Sequence, residues 1–409
     1  VKSNVTIVGA GPAGLSAAID LAKTGISVVV IDEYYRPGGR LLGQLYEDRK
    51  APPEERHWDG KKRAGELAQE AEKLGVTMLC GVTSWTVSDR WHIKLSGSEV
   101  QSLTSDALLL ATGAAEKALP IPGWTLPGVF SIGAAQTFTN VHNVAIGQRV
   151  LVVGADPLAL SVVMEMKQAG IDVAGVVLPP ASSMVNKHLS SPVESVERLG
   201  EAADLAPNPL LRMMGRLATG KLSGLATRAL SLNLLKIEGV PAYMRKAAVR
   251  IEGDKQVESV TLQPVTVDGE PNGHTEKIDV DTVCLSAGLY PLVDLAQVAH
   301  CPIVDIPELG GTVPLHDSDL STPVSGLFIA GNITGIEGAK VAIAQGKLAA
   351  ASIAESLDQK PLLPKKDAMR DVDEARARSP IHFLPNIAKG RQKMRQYWEE
   401  HQNEKGVLS

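Results

Sequence analysis

The sequence predicts an α/β chain built on two doubly wound, mostly parallel sheets. A run of apolar β-branched residues, a glycine-bearing turn, an apolar helix and a second apolar run occupy residues 4–32, and the same order recurs at residues 149–177. Runs that are apolar throughout, rather than alternating, suit strands buried on both faces, as in a parallel sheet flanked by helices. The length of 409 residues supports the count, because it exceeds one typical domain and calls for two or three.

Each element of the first repeat has a physical task. Asn4 to Val8 is the first buried strand, and it runs into Gly9-Ala10-Gly11-Pro12-Ala13-Gly14. Gly9 permits the tight turn from strand to helix. Gly11 has no side chain, so a pyrophosphate can approach the backbone. Gly14 lets the helix pack on the strand. The helix Leu15 to Lys23 is closed by Gly25, and its N-terminus offers free N–H groups and the positive end of its dipole to phosphates. The second strand, Ser27 to Ile31, ends in Asp32 and Glu33. Either acid can accept bonds from a ribose, and the sequence leaves both open. A Rossmann-like dinucleotide site with Gly9, Gly11, Pro12, Ala13 and Gly14 at its centre is the expectation.

Composition narrows the class. Hydrophobic residues make up 44% and charged residues 21%, as in ordinary globular proteins, and aromatic residues make up only 4%, so the core is mainly aliphatic. A formal net charge of -5 argues against a nucleic-acid surface, which carries a basic excess. The three cysteines, Cys80, Cys284 and Cys301, form neither a CxxC pair nor a metal-ligand spacing, which suits a reducing, cytoplasmic setting. Val5 to Ile31 is apolar enough to resemble a signal or a membrane span, but Asp20, Lys23 and the glycines interrupt it. No other stretch approaches ~20 uninterrupted apolar residues, so no transmembrane segment is expected, and any membrane association is peripheral.

Further segments carry a resemblance. Arg36-Pro37-Gly38-Gly39-Arg40 follows the second strand, Ala107 to Ala111-Thr112-Gly113 is an apolar strand ending in a small-residue turn, and Val283 to Gly288 repeats that form. Late in the chain, Gly326-Leu-Phe-Ile-Ala-Gly331-Asn332 precedes Gly338-Ala339-Lys340-Val341-Ala342, which opens an apolar helix. The chain thus resembles the two-dinucleotide-domain flavoproteins of the pyridine nucleotide-disulfide oxidoreductase superfamily, with a glutathione reductase-like fold. The resemblance implies FAD in the first domain. It implies contacts from Gly39 and Arg40, from Val82 and Thr83 near the adenine, and from Ala111, Thr112 and Gly113 at the first crossover. It also implies that Gly331 and residue 332 face the ribityl chain, and that Ala339, Lys340 and Val341 form the helix N-terminus facing the flavin pyrimidine. The usual Asp of that pattern is Asn332 here, whose carbonyl can still accept a ribityl hydroxyl bond without the charge. On this resemblance the FAD-binding domain is discontinuous, 1–118 and 286–358. An NAD(P)-like domain, 119–285, is inserted in it, and a helical insertion occupies about 180–236, with apolar residues at helical spacing from Leu210 to Leu235.

The second repeat departs from the nucleotide-binding pattern. Its turn reads Gly154-Ala155-Asp156-Pro157-Leu158-Ala159, with Asp156 where the first has Gly11. A carboxylate there repels a pyrophosphate: two like charges ~4 Å apart at an effective dielectric of ~20 cost about 4 kcal/mol. The spacing from Gly9 to Asp32, applied from Gly154, lands on Val177, and only Leu178-Pro179-Pro180 follows. The second site is therefore read as not holding NAD(P), with another adenine nucleotide in a different pose left open.

Other chemistry lacks its residues. There is no CxxC for disulfide reduction, no C-terminal His-Glu pair, no cysteine cluster for an iron–sulfur centre, and His57, His92 and His142 stand alone. A closer resemblance lies in Ile121-Pro-Gly-Trp124-Thr-Leu-Pro127-Gly-Val129 and Gly133-Ala-Ala-Gln136. These look like the FAD-binding α subunit of multi-subunit dye-linked amino-acid dehydrogenases, a group that includes proline and hydroxyproline dehydrogenases, opine oxidase and hydrogen cyanide synthase. That resemblance covers about residues 3 to 356. It implies a catalytic FAD-containing β subunit, a small [2Fe-2S] γ subunit or domain, and an electron-transfer role for this chain. The alternatives are a self-contained NAD(P)H-dependent flavin oxidoreductase and a scaffold with structural FAD. The charged tail, 359–409, is expected to form helices over Asp367 to Arg378 and Ile387 to His401, with Tyr397 and Trp398 as anchors, either docked on the first domain or serving as a subunit-docking arm.

Overall fold

The computed structural model describes residues 2–47, 53–88, 91–181, 187–196, 236–237, 239–379, 383–384 and 386–408. The chain divides into two compact units: Val1–Leu42, Gly60–Ala115 and Leu289–Ser409 form the first, and Gly43–Asp59 and Glu116–Gly288 form the second.

The first unit is a doubly wound sheet. It contains β1 (Lys2–Val8), β2 (Val28–Asp32), β3 (Thr77–Cys80), β4 (Thr83–Ser88), β5 (His92–Ser96), β6 (Ser102–Leu110) and β7 (Leu327–Ile329). The order is β3-β2-β1-β6-β5-β4, with β7 pairing the C-terminal half of β6. Strands β3, β2, β1, β6 and β7 run parallel, while β4 and β5 join antiparallel. The parallel strands are apolar on both faces because both are covered. Val5, Ile7, Val28, Val30, Ala107 and Leu109 face one core with helices α1 (Pro12–Lys23) and α3 (Ala339–Ser356); α2 (Gly60–Lys73) precedes β3. Val8, Val29, Ile31, Leu108 and Leu110 face the other, against the short helix Asp294–Val298. Helices α1 and α3 cross closely: a Cβ on Gly346 would lie 2.1 Å from the Ala13 carbonyl oxygen.

The tail docks on this unit. Helices α4 (Lys365–Ala377) and α5 (Ile387–Leu408) are present. Ala368 and Val372 of α4 are buried in the core formed with α3, and Met394 of α5 is buried among Ile306, Leu309, Val313 and Leu315. Trp398, one helical turn after Met394, packs on the same cluster, whereas Tyr397 stands off that face, 41% exposed. Of the two expected anchors, only Trp398 acts as one.

In the second unit the strand order is Val129–Ser131, Thr282–Leu285, Arg149–Val153, Asp172–Leu178, Val240–Glu252, Ser259–Pro264, Glu276–Asp279. The first five are parallel and the last two add antiparallel. The helix Pro157–Gln168 buries Ala159, Val162, Val163 and Met166 against Val150 and Val152. Most of the helical insertion expected over 180–236, including Leu210 to Leu235, lies outside the described residues. Among the described residues no helix is long and apolar enough to cross a membrane.

Candidate functional site

The first glycine turn leaves an opening that the chain does not fill. Gly9 has φ +110°, and a Cβ there would lie 2.3 Å from the Ala111 carbonyl oxygen; at Gly14 it would lie 1.9 Å from the Gly9 carbonyl oxygen. These two glycines are demanded by the backbone itself. Gly11 is different. Its φ of -76° suits any residue, and a Cβ on it would meet nothing within 4 Å. It caps α1 without a side-chain bond, and the first intrahelical bond is Leu15 N–H to Gly11 O, 2.9 Å. Pro12 has no N–H, so the Ala13 and Gly14 N–H groups precede the first helical acceptor and lie at the positive end of the dipole. Open space before uncapped N–H groups fits the pyrophosphate of a dinucleotide.

The other expected residues gather around this turn. The Gly38 N–H donates to Ala10 O (2.8 Å), and a Cβ on Gly39 would lie 3.1 Å from Gly11 Cα. The Arg40 Nε donates to Ala114 O, 3.2 Å. The Ala111 N–H donates to Val8 O (2.8 Å), and Thr112 Oγ1 donates to Leu292 O (2.7 Å). Gly113 follows with φ +75°. The Val82 N–H donates to Asp32 O, 3.0 Å, which brings buried Val82 beside β2; Thr83, the first residue of β4, is exposed.

Of the two candidate acids, Asp32 belongs to the turn. Its Oδ2 accepts the Ala10 N–H (2.7 Å) and its Oδ1 the Tyr34 N–H (2.8 Å), and Glu33 points outward, exposed. Burial pushes the Asp32 carboxyl up, against the two N–H bonds. Arg36 is a site residue that the sequence did not mark. Its Nε and Nη2 are buried without a hydrogen-bond partner among the described residues, and its guanidinium carbon lies 5.4 Å from the Tyr35 ring centre. A buried donor lacking an acceptor beside a phosphate-sized opening is a signal that only the folded chain supplies.

The late segment closes the site from the other side. Gly331 has φ +80°, its N–H donates to Gln345 Oε1 at 2.7 Å, and a Cβ on it would be 3.1 Å from Ala13 Cβ. Asn332 Oδ1 accepts the Glu337 N–H, 3.1 Å. This alters the chemistry expected of Asn332: its carbonyl oxygen already carries one bond within the chain, and its Nδ2 is the group left to donate outward. Helix α3 starts at Ala339, Lys340 and Val341 behind Gly338, which caps it without a side-chain bond. Glu337 is gripped by the tail. Arg376 donates from Nε (2.8 Å) and Nη2 (3.2 Å), and Arg391 Nη2 pairs with Glu337 Oε2. Arg391 also donates from Nη1 to Thr334 O at 2.7 Å. Burial alone would raise the Glu337 carboxyl, but the Arg391 and Arg376 guanidiniums hold it below its ordinary range.

The second turn has the same frame with one decisive difference. Gly154 has φ +118°, and its N–H donates to Val177 O (2.8 Å), as the Gly9 N–H donates to Ile31 O (2.8 Å). Val177 therefore matches Ile31, and Leu178 matches Asp32. The spacing had pointed to Val177. It is off by one because a β-bulge between Val150 and Leu151 leaves Ala174 unpaired in the partner strand. Leu178 is apolar and fully buried, so no ribose acid stands there. Asp156, 5% exposed, fills the place of Gly11. Its Oδ1 accepts the N–H groups of Leu158 (2.9 Å) and Ala159 (3.0 Å), and Ser286 Oγ donates to its Oδ2 at 2.5 Å.

A second buried carboxylate lies in this unit. Glu165 accepts from Gln136 Nε2 (3.2 and 3.0 Å), Asn140 Nδ2 (2.7 Å) and Ser161 Oγ (3.2 Å), and Asn140 Nδ2 also reaches Gly43 O (2.7 Å). The carboxyl is pushed up to about 7, chiefly by burial, with the bonds from Gln136, Asn140, Ser161 and the Leu45 backbone acting against it. A folded value above the unfolded one, about 4.3, makes this contribution full below pH ~4.3 and lost as pH rises through about 7. The loss is on the order of 4 kcal/mol. In Glu165→Gln the group cannot ionise. Denaturant unfolding at about pH 4.5 and pH 8 should then show that this share of the pH dependence has disappeared. Identical pH profiles for variant and wild type would refute the assignment.

The chain's thiols are not poised for exchange. Burial pushes Cys284 and Cys301 up strongly, and Cys80 is raised by burial and by Asp32. Among the described residues no group of three His, Cys, Asp or Glu could hold a metal ion.

The comparisons agree with this geometry. The sequence profile of the pyridine nucleotide-disulphide oxidoreductases matches residues 3–346. The A-type polypeptide of opine oxidase from Agrobacterium tumefaciens (strain Ach5) is 27% identical over 360 residues, covering 85% of this chain and 64% of that protein. Hydrogen cyanide synthase subunit HcnB of Pseudomonas protegens is 27% identical over 385 residues, covering 90% of this chain and 73% of the relative. The chain thus spans less than two thirds of the length of the Agrobacterium relative. Among solved structures, L-proline dehydrogenase from P. horikoshii superposes with a TM-score of 0.65 at 20% identity, over 91% of this chain and 59% of that one. Thioredoxin reductase from T. acidophilum gives 0.60 at 19% identity, over 87% and 99%. These two likenesses concern the fold.

Proposed function

The chain belongs to the pyridine nucleotide-disulphide oxidoreductase family, and from that premise we propose that it binds FAD at the Gly9–Gly14 turn and serves as the electron-transfer subunit of a heteromeric amino-acid dehydrogenase. The observation that carries the reading is the opening at Gly11, which the chain's own packing does not require and which uncapped N–H groups face. In this reading Ala13 and Gly14 hold the pyrophosphate, Asp32 accepts from the ribose, Arg36 and Arg40 add positive charge, and Asn332 and the start of α3 orient the flavin end. Bound FAD supplies the capacity to take up two electrons and release them singly. The chain's own residues contribute binding, orientation and the exclusion of water by the packed α1–α3 crossing.

The partner reading is supported by relatives that are themselves subunits of an opine oxidase and a hydrogen cyanide synthase. We assign the removal of electrons from the amine to a separate FAD-containing β subunit, and onward transfer to a small [2Fe-2S] subunit or domain. Purified alone, the chain should retain FAD, be reduced reversibly by dithionite and turn over no amino or imino acid; activity should appear on adding the β subunit. Substantial turnover by this chain alone would sink the proposal. A flavin that neither dithionite nor the partner can reduce would instead mark it as structural, and rapid anaerobic bleaching by micromolar NADH or NADPH would mark a self-contained reductase.

A further inference from the structure

The two glycine turns are internal controls for one another. Their frames match bond for bond. Gly9 and Gly154 take the same positive φ, and each would strike the carbonyl oxygen of a crossover residue with a Cβ: Ala111 at 2.3 Å, Ser286 at 2.2 Å. The Ala111 N–H donates to Val8 O at 2.8 Å, and the Ser286 N–H donates to Val153 O at 2.8 Å. Each helix begins with proline after an extended cap residue, and the N–H three residues beyond that proline returns to the cap carbonyl: Leu15 to Gly11 (2.9 Å), Leu160 to Asp156 (3.1 Å). Ser286 is therefore the counterpart of Ala111, and Asp156 the counterpart of Gly11. The two positions where the second turn gains polar side chains are bonded to each other.

We infer that Asp156 and Ser286 form a built-in anion plug that closes the second unit's helix N-terminus to dinucleotide phosphates. Every N–H a pyrophosphate could use is consumed. Pro157 has none, Leu158 and Ala159 donate to Asp156 Oδ1, and Leu160 donates to the cap carbonyl. The other carboxylate oxygen is tied by Ser286, which stops the side chain from swinging aside. A phosphate would have to displace three hydrogen bonds and meet a buried negative charge. The pair thus acts as a specificity device, restricting dinucleotide binding to the first turn. The inference concerns the second unit and stands whether or not the relay reading holds.

The test is calorimetric titration of NADH and NADPH into the full chain. Wild type should bind neither up to about millimolar concentration. D156G with S286A, which restores the chemistry of the first turn, should bind at least about tenfold more tightly, from removal of the like charge and release of two N–H donors. D156N keeps the helix cap and should stay near wild type. Micromolar binding by wild type, or a folded double variant no tighter than wild type, would overturn the plug. So would a gain in D156N equal to that of the double variant. If the double variant fails to fold, the reciprocal G11D with A111S decides. It should fold, because a Cβ on Gly11 meets nothing within 4 Å, and it should lose FAD on purification. Full FAD retention there would overturn the plug. Wild type purified without FAD would refute the relay reading instead and leave the nicotinamide arm intact.

Discussion

Replacing Gly14 with valine is expected to unfold the first unit and to yield protein without FAD. A Cβ at this position lies 1.9 Å from the Gly9 carbonyl oxygen and 3.2 Å from Ile7 Cγ2. The first neighbour is backbone, held by the Gly9 N–H bond to Ile31, so it cannot rotate away. Helix α1 would have to leave the sheet, exposing Leu15, Ile19 and Leu21 from the core it shares with α3. The cost should exceed about 4 kcal/mol, the range reserved for overpacking against a fixed neighbour. Gly11→Ala is the matched control. Its φ is ordinary and its Cβ meets open space, so the melting transition should stay within about 1 kcal/mol of wild type while FAD affinity falls. Denaturant melts and flavin retention, measured on both variants, separate packing from binding. A Gly14→Val protein that melts with Gly11→Ala would refute the account.

Breaking the Glu337 clamp is expected to be nearly as costly. The Glu337 side chain is 10% exposed and that of Arg391 12%, and two guanidiniums share one carboxylate. Removing one side of a buried pair typically costs about 3–5 kcal/mol, because the remaining charge stays buried without its partner. Glu337→Gln should therefore lower stability by about 3 kcal/mol and loosen the loop from Gly331 to Gly338, with loss of FAD at milder denaturant than wild type. The pH dependence has a definite sign. Glu337 is held below its unfolded value, so its contribution is full above pH ~4.3 and is lost as pH falls through the lower folded value. Wild type should lose this share of stability in acid, and Glu337→Gln should not. An unchanged urea midpoint in the variant would show that the tail is merely laid on the surface. The tail thus acts as a strap on the candidate flavin loop: α4 supplies Arg376, α5 supplies Arg391, and Met394 and Trp398 seat α5 on the 306–315 segment.

What the residues determined by themselves is the local geometry. Gly9, Gly11 and Gly14, an apolar strand before them and an acid after the next strand define a turn whose every contact lies within a few residues or one strand crossing. Backbone conformation, helix start and burial on both sheet faces follow from nearest-neighbour sterics and apolar patterning, and these are written in order along the chain. The helices of the tail were legible for the same reason. Tertiary structure decided how the polar side chains were used. In sequence, Asp156 could only be weighed as a repelling charge; folded, it is a cap locked by Ser286, a residue 130 positions away. The one-residue shift from Val177 to Leu178 comes from a bulge, which spacing cannot register. Glu337 finds Arg376 and Arg391 at separations of 39 and 54 residues, and Asn332 spends its carbonyl on a neighbour's N–H. Hydrogen bonds and ion pairs gain their strength from burial and exact placement, and both are properties of the assembled core rather than of any segment.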